Sequence, residues 1–299
     1  MKKLVVLIGF LGLVGSAVGM ESNIDLVTAA GDNDLGAVNK LIDAGVDLNK
    51  KNKYGNTALT KAAFKGHLDI VRALIRARAG LNIQENSGGT PLIMAVRGNH
   101  LDIVKALIAA GASLDIQDKS GDTALILAIK KEYLDIVRAL IAAGAYLNIQ
   151  DKHGYTALIL AIKKEYLDKE YLDIVRALIR EGAYLNIQDE HGVTALMWAA
   201  RLNNLDIVRA LIREGVYLNI QDELGNTALM WAARLNNLGI ANALIAWGAD
   251  LNIRNGNGNT ALMMAQRLGY TEIEEALENS QEILMEGTLD DFVFPESSN

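Results

Sequence analysis

Histidine is the residue type in this sequence that could most readily bind a metal or transfer protons, and there are four of them. His67 and His100 lie 33 residues apart, and His153 and His191 lie 38 apart, so each pair repeats one position of a longer pattern. Equivalent positions of stacked helices are about 8–10 Å apart, whereas zinc holds a histidine nitrogen at about 2.0–2.1 Å. We therefore predict no metal site and no cofactor.

The other reactive residue types do not combine into a catalytic site. The sequence has no cysteine, which excludes thiolate nucleophiles, disulfides and Cys-ligated zinc. The serines lack a surrounding glycine elbow, and residues 255–259 have glycines but no lysine for a phosphate loop. Aspartates recur where helices are predicted to begin, which indicates stabilisation of the helix dipole: Asp69, Asp102, Asp135, Asp173 and Asp206. We predict that the protein is not an enzyme.

These residues occupy positions of one internal repeat. A Thr-Ala-Leu or Thr-Pro-Leu triplet occurs seven times, at steps of 33, 33, 33, 38, 33 and 33 residues. The triplets begin at Thr57, Thr90, Thr123, Thr156, Thr194, Thr227 and Thr260. A fixed period of this length indicates one supersecondary unit stacked many times, in which each unit contacts only its neighbours. Such an array presents an extended surface rather than a catalytic pocket.

One unit, beginning at Thr123, predicts two helices and a turn. Thr123 suits the N-cap of the first helix, and apolar residues three and four positions apart follow it. Asp135 lies in the first turn of the second helix, and Gly144 ends that helix in a left-handed conformation. Residues 151–154 are predicted to form a tight turn that leads into Thr156.

The repeated unit resembles the ankyrin repeat. The resemblance rests on the Thr-Ala/Pro-Leu opening, the Gly-His-Leu-Asp of residues 66–69, the Ile-Val-x-Ala-Leu-Ile second helix, Gly-Ala-x-Leu-Asn, and Asp-x-x-Gly before the next threonine. It implies an all-α ankyrin-repeat solenoid of about eight helix-turn-helix units with short β-hairpin loops and a concave and a convex face. The repeat domain is predicted to cover residues 22–279, with units starting near residues 24, 57, 90, 123, 156, 194, 227 and 260.

Two departures from the pattern carry structural expectations. The 38-residue step arises because residues 164–168 are repeated at once as residues 169–173. We expect this insertion to lengthen the first helix of its unit or the turn after it, and favour a neutral slip at a tolerant loop tip over a selected binding finger. Arg78 stands where other units have glycine, so it must either accept a left-handed conformation or shift the helix end to Gly80.

The resemblance implies that partners bind on the concave helix face. The position four residues after each threonine faces this groove in ankyrin-like stacks, and it is Trp198 in one unit and Trp231 in the next. Arg201 and Arg234 follow one turn later in a basic column. Because Trp and Arg dominate many interface energies, these four residues are predicted to form the centre of the site. Met264 and Leu160 flank it; the alternative is that both tryptophans pack between helices.

The hairpin tips are the second predicted contact region. Their residues vary while the scaffold repeats, which indicates freedom from core constraints, and in the ankyrin family such positions usually touch the partner. The tip residues predicted to bind are Tyr54, His153, Tyr155 and His191.

Both ends of the sequence differ from the repeat. Lys2 and Lys3, an apolar run and the small residues before Met20 predict a signal peptide over residues 1–19, and an uncleaved N-terminal membrane anchor is the alternative. After cleavage we expect no membrane insertion. Residues 280–299 are predicted to be an acidic flexible tail.

The formal net charge of −7 disfavours nucleic acid as a partner. The sequence therefore predicts an exported, periplasmic or extracellular scaffold, expected to be a monomer, that binds a protein partner. The alternative function is a host-directed effector or an envelope adaptor or inhibitor whose tail recruits a second partner.

Overall fold

The computed structural model describes residues 25–164 and 169–286 of the 299-residue chain. The predicted signal peptide, four residues of the duplicated segment and residues 287–299 of the predicted tail lie outside the described residues. The described residues form sixteen helices and a single isolated antiparallel bridge, between Gln188 and Thr194.

The helices alternate between two layers. The first helices of the units pack against one another in order, the second helices form a parallel layer, and each first helix packs on the second helix of its own unit. The first helices are α1 Leu26–Gly31, α3 Ala58–Lys65, α5 Pro91–Arg97, α7 Ala124–Lys130, α9 Ala157–Ile162, α11 Ala195–Arg201, α13 Ala228–Arg234 and α15 Ala261–Leu268. The second helices are α2 Leu35–Asp43, α4 Leu68–Arg76, α6 Leu101–Ala109, α8 Leu134–Ala142, α10 Lys169–Arg180, α12 Leu205–Arg213, α14 Leu238–Ala246 and α16 Thr271–Glu286. These pairs are units 1 to 8, and the resulting all-α ankyrin solenoid confirms the predicted fold.

The repeated threonines are the N-caps of the first helices, as predicted. In units 2 to 8 the threonine hydroxyl accepts a hydrogen bond from the backbone N–H three residues on, as at Thr123, where the distance to Ile126 N is 3.2 Å. All seven threonines are buried, so the cap lies inside the stack. Replacing such a cap by alanine costs typically about 1 kcal/mol.

The core is one continuous cluster along the stack. In unit 4, Leu125, Ala128 and Ile129 of α7 are almost fully buried together with Ile136 and Leu140 of α8. The same positions are buried in the neighbouring units, so every internal unit covers apolar surface on both sides. A terminal unit has one neighbour, and Met263 of unit 8 is 40% exposed whereas its counterpart Met230 is 1% exposed.

Hydrogen bonds repeated from unit to unit join the loops. Each hairpin tip after the first donates a backbone N–H to the preceding tip, for example from Glu190 to the His153 carbonyl at 3.1 Å. A glutamine at the base of the hairpin donates both to its own turn and to the next unit, as Gln150 does to Gly154 and Gln188 at 2.7 and 2.9 Å. These bonds fix the spacing and rotation between successive tips.

The residue that precedes the second helix links the units from the other end. His67 Nε2 lies 3.2 Å from the Gly31 carbonyl oxygen, and His100 Nε2 lies 3.1 Å from that of Phe64. Asn237 donates to the Ala200 carbonyl at 2.7 Å from the same position. Histidines that could have suggested a metal site are therefore engaged by the last turn of the neighbouring first helix.

The duplicated segment does not lengthen the first helix of its unit. That part of the expectation is wrong, because α9 ends at Ile162, whereas α10 has twelve residues against nine in α8. The other expectation, a longer turn after the first helix, falls on residues 163–168, four of which lie outside the described residues. Tyr171, in the second copy, occupies the position that links units elsewhere, and its hydroxyl donates to the Ile129 carbonyl at 3.2 Å. Because this copy keeps the inter-unit contact, the added residues extend the N-terminus of α10.

Two further boundaries follow from backbone geometry. Arg78 adopts the left-handed conformation with φ 65°, so it takes the place of glycine and the helix end does not move to Gly80. The last helix, α16, continues to Glu286, seven residues past the predicted end of the repeats.

In the part of the chain that the structure describes, no helix has the length and apolarity required to cross a membrane.

Candidate partner-binding site

The site is built on the residue that begins each hairpin, five positions before the threonine. In unit 6 this residue is Asp189, whose Oδ1 accepts the backbone N–H groups of His191 and Val193, both at 2.9 Å. One carboxylate oxygen thereby closes the turn. The other oxygen, Oδ2, points toward the first-helix layer and needs a donor, because Asp189 is only 6% exposed.

In units 6 and 7 that donor is a tryptophan of the following helix. Trp198 Nε1 donates to Asp189 Oδ2 at 3.0 Å, and Trp231 Nε1 donates to Asp222 Oδ2 at 2.9 Å. Both indoles are half-buried, with one side packed on the core. They are thus neither fully internal nor free surface groups, and each is held in one orientation by its hydrogen bond.

At the hairpins of units 4 and 5, the aspartate oxygen instead pairs with a cation on the first helix of the preceding unit, that is, of unit 3 or unit 4. Arg97 contacts Asp118 Oδ2 at 2.7 Å, and Lys130 Nζ lies 2.8 Å from Asp151 Oδ2 and 2.6 Å from Asp122 Oδ1. The three aspartates are buried, so these ion pairs are shielded from water. The cations of this pair of units are therefore neutralised within the fold.

The corresponding cations of units 5 to 7 lie against aromatic rings. Lys163 Nζ is 3.4 Å from the Tyr155 ring centroid and 4.2 Å from that of Trp198. The Arg201 guanidinium carbon lies 4.3 Å from the Trp198 centroid and 4.5 Å from the Trp231 centroid. Arg234 lies 5.3 Å from Trp231. We call this row the cation–indole ladder: Tyr155, Lys163, Trp198, Arg201, Trp231 and Arg234.

The cations of the ladder have no anionic partner among the side chains that the structure describes, those of residues 25–164 and 169–283. No carboxylate there lies within 4.0 Å of the charged groups of Lys163, Arg201 or Arg234. The two aspartates that the repeat would offer to Lys163 and Arg201 are already bonded to the indoles. At the next position the hairpin begins with Asn255, which carries no charge.

Burial and charge shift the pKa values around Lys130. Burial raises the pKa of the Asp122 carboxyl; the hydrogen bond and charge of Lys130 oppose this rise, and the nearby carboxylates of Asp118 and Asp151 add to it. Burial lowers the pKa of the Lys130 ammonium, but the carboxylates of Asp122 and Asp151 outweigh this and raise it above its ordinary value. Units 3 and 4 thus hold an electrostatically coupled cluster.

The structure brings together five of the ten predicted site residues. Tyr155, Trp198, Arg201, Trp231 and Arg234 belong to the ladder, as given by the ring contacts above. The two tryptophans and the two arginines lie together as the sequence predicted, and their role in binding a partner stays a prediction.

The other five predicted site residues have different surroundings. Met264 is 3% exposed in the core, so it offers a partner little surface, and Leu160 is half-buried. His153 and His191 are exposed at the tips, where Glu190 lies 2.9 Å from His153 Nδ1 and 4.0 Å from His191 Nε2. Tyr54 is exposed on the unit 2 hairpin, where its ring contacts Lys53.

Sequence reasoning missed three residues of the site. Lys163 was visible as part of the basic column, but nothing in the sequence indicated that it bridges Tyr155 and Trp198. Asp189 and Asp222 were visible only as turn residues. The available signal was the co-occurrence, in the same unit, of an aspartate five positions before the threonine and a tryptophan four positions after it. Among the described residues, no cluster of His, Asp or Glu is arranged to hold a metal ion.

Comparison with known proteins agrees with this architecture. A family model described as ankyrin repeats in three copies matches residues 26–118, 99–189 and 167–255. The crystal structure of the ankyrin repeat domain of Bcl-3, described as a unique member of the IkappaB protein family, is 29% identical, with a TM-score of 0.65; the match covers 76% of this chain and 100% of that one.

A second solved structure is an ankyrin repeat domain from Acinetobacter baumannii AYE. It is 32% identical with a TM-score of 0.59, and the match covers 64% of this chain and 97% of that chain. No curated protein sequence matches the chain. The chain belongs to the ankyrin-repeat family, whose repeats indicate a scaffold for protein–protein interaction.

Proposed function

We propose that the chain is an exported scaffold that binds a protein partner through the first-helix face and the hairpin tips of units 5 to 7. The observation that carries this proposal is the guanidinium of Arg201, which contacts two indole rings and no carboxylate of the described chain. Oriented tryptophans with adjacent arginines are the residues that most often dominate interface energies. The ladder is therefore the energetic centre of the interface, and the tips around His153 and His191 form its rim.

Partner capture with tryptophan variants tests the site. Residues 20–299 serve as bait, and captured proteins are identified by mass spectrometry. We expect Trp198→Ala and Trp231→Ala to abolish capture, because each removes a hot-spot side chain worth roughly 2 kcal/mol or more. The matched control is Trp247→Ala, since Trp247 is 43% exposed at the end of α14 in the second-helix layer. Capture should survive this third substitution.

The thermal midpoint of each variant separates a binding role from a structural one. If Trp198→Ala and Trp231→Ala each lower stability by roughly 3–5 kcal/mol, as for a buried tryptophan, both residues are core and the site lies at the tips around Tyr155 and His191. Loss of capture in all three tryptophan variants would also contradict the assignment, because it would show no dependence on the first-helix face.

The export part of the proposal rests on residues 1–19. A basic start, a short apolar run and small residues before Met20 are typical of a cleaved secretory signal. N-terminal sequencing of the protein from its producing organism should therefore give Met20 as the first residue. A chain that keeps Lys2 and fractionates with membranes would instead support the N-terminal anchor.

A further inference from the structure

We propose that the cation–indole ladder binds an extended acidic peptide whose carboxylates recur about every three residues. This inference rests on the proposed function, because it specifies the chemistry of the partner at that same site. Three properties of the ladder lead to it: its unneutralised charge, its setting on an acidic protein and its spacing.

The charge of the ladder is a consequence of how the aspartates are used. In units 3 and 4 a buried aspartate neutralises each cation. Asp189 instead accepts from backbone N–H groups and an indole, and Asp222 accepts from backbone N–H groups, an indole and the Asn226 side-chain amide. Lys163, Arg201 and Arg234 therefore keep their positive charge exposed to an incoming group. A partner carboxylate would complete the ion pair that the fold leaves open, and it would do so beside half-buried rings where water screens less.

The net charge of the molecule favours the ladder as the binding surface. The chain has a formal net charge of −7, so the protein as a whole repels an acidic segment, whereas the cations of the ladder attract it. Complementarity of this kind steers association and fixes the orientation of the bound segment.

The spacing of the cations sets the spacing of the ligand. Successive units place Lys163, Arg201 and Arg234 on neighbouring helices, and packed helices lie about 8–10 Å apart. An extended peptide advances about 3.3 Å per residue, so about three residues match one unit. The peptide would run across the first helices, parallel to the axis of the stack.

The rings argue against a single-stranded nucleic acid as the occupant. Such ligands stack their bases on free aromatic faces. Here each indole has two cationic groups close to its centroid: Lys163 and Arg201 at Trp198, and Arg201 and Arg234 at Trp231. A carboxylate binds to cations and does not need a free ring face, so the unpaired Lys and Arg groups of the ladder suit it.

Fluorescence anisotropy with designed peptides tests the proposal on the chain from Met20 to Asn299. The probe is a labelled twelve-residue peptide of aspartate, serine and glycine with aspartate at every third position. We expect saturable binding that weakens steeply with added salt, and binding at least about fivefold weaker to a peptide of the same composition whose aspartates are contiguous. Equal affinity for the two peptides would overturn the spacing, and salt-independent binding would overturn the role of charge.

Charge-removing variants locate the binding surface. Lys163→Gln and Arg201→Gln should each weaken binding of the spaced peptide at least about fivefold. Arg209→Gln is the matched control, because it removes the same charge from an exposed site on α12 in the opposite layer. The proposal is overturned if Arg209→Gln weakens binding as much as Arg201→Gln does.

Two alternative occupants give distinct outcomes. Tighter binding of a twelve-nucleotide single strand than of the spaced peptide would replace the proposal with nucleic-acid binding. If the full chain binds no peptide but a chain ending at Glu286 does, the acidic segment 287–299 is the occupant in cis and the partner assignment is wrong. If neither chain binds the peptides while tryptophan-dependent capture persists, the proposed scaffold function stands and the acidic-peptide inference fails.

Discussion

Units 3 and 4 and units 5 to 7 carry cations at the same repeat position, yet they use them differently. Arg97 and Lys130 reach forward 21 residues to buried aspartates, and their charges are neutralised inside the fold. Arg201 stacks on two indoles instead, because Asp222 is already bonded to Trp231, nine residues after it. The residue four positions after the threonine of one unit thus decides whether the cation seven positions after the threonine of the preceding unit stabilises the fold or remains available to a partner.

The largest expected difference is between Lys130→Met and Lys163→Met, one substitution at one repeat position in adjacent units. Lys130→Met leaves Asp122 and Asp151 buried beside each other without a cation. A fully buried broken pair costs about 3–5 kcal/mol, and because the Lys130 side chain is 31% exposed we expect about 2 kcal/mol. Lys163→Met loses only cation–π contacts and should cost less than about 1 kcal/mol.

Urea denaturation monitored by circular dichroism measures both values. Equal losses of unfolding free energy in the two variants would show that the two regions do not differ as described. A selective loss of partner capture in Lys163→Met, with capture retained by Lys130→Met, would sharpen the contrast between a structural and an available cation.

Trp198→Phe should give the next largest effect. Phenylalanine keeps an aromatic ring near Lys163 and Arg201, but it leaves the buried Asp189 Oδ2 without its donor. An unsatisfied buried acceptor costs about 1–3 kcal/mol, and we expect the lower half of this range because part of the site is open to water. Denaturant midpoints give the loss, and Trp198→Phe combined with Asp189→Asn should recover part of it. No recovery in the double variant would indicate that the indole N–H is not what Asp189 requires.

The pH dependence of the stability of Asp122→Asn tests the buried ion pairs around units 3 and 4, and its expected effect is smaller. Because burial raises the pKa of Asp122 in the fold, its carboxyl favours folding while protonated, below its ordinary value of 3.8, and that contribution is lost as the pH rises. The asparagine side chain of the variant does not titrate, so the variant does not lose this stabilisation as the pH rises. The unfolding free energy of Asp122→Asn relative to the parent chain should therefore increase from acid to neutral pH. Unit 7 already has Asn226 at this position.

Thermal unfolding of both chains across this pH range measures the difference. A difference that stays constant with pH would show that Asp122 titrates alike in the folded and unfolded chains. Alkaline pH gives an independent control. Because the pKa of Lys130 is raised in the fold, its ammonium group stabilises the protein below its ordinary pKa of 10.5, and this contribution is lost as the pH rises further. The difference in stability between Lys130→Met and the parent chain should therefore shrink at alkaline pH.

The helices were predictable because their signals are local. Thr123 caps the helix that follows it, and Gly144 adopts the positive φ that ends the next helix, so residues within a few positions decide each boundary. Arg78 shows that this pattern overrides residue preference, since it takes the left-handed conformation of the glycines it replaces.

The site was only partly predictable because its contacts cross between units. The sequence places Lys130 and Lys163 in one column, and their different partners depend on whether the next unit offers a free aspartate oxygen. The longer first helix was wrongly predicted for a similar reason. Tyr171 of the second copy donates to the Ile129 carbonyl of the neighbouring unit, a contact that the sequence alone does not indicate.

The smallest expected effect distinguishes the two arginines of the ladder. The Arg201 guanidinium contacts two indoles at 4.3 and 4.5 Å, whereas Arg234 contacts one at 5.3 Å and is more exposed. Exposed cation–π contacts contribute about 0.5–1 kcal/mol, so Arg201→Gln should lower stability by about that amount and Arg234→Gln by less. Both variants should change tryptophan fluorescence, with the larger change in Arg201→Gln because it acts on both rings. An equal or larger change in Arg234→Gln would mean that the ladder is centred on unit 7 rather than between units 6 and 7, and the energetic centre of the partner site would move with it.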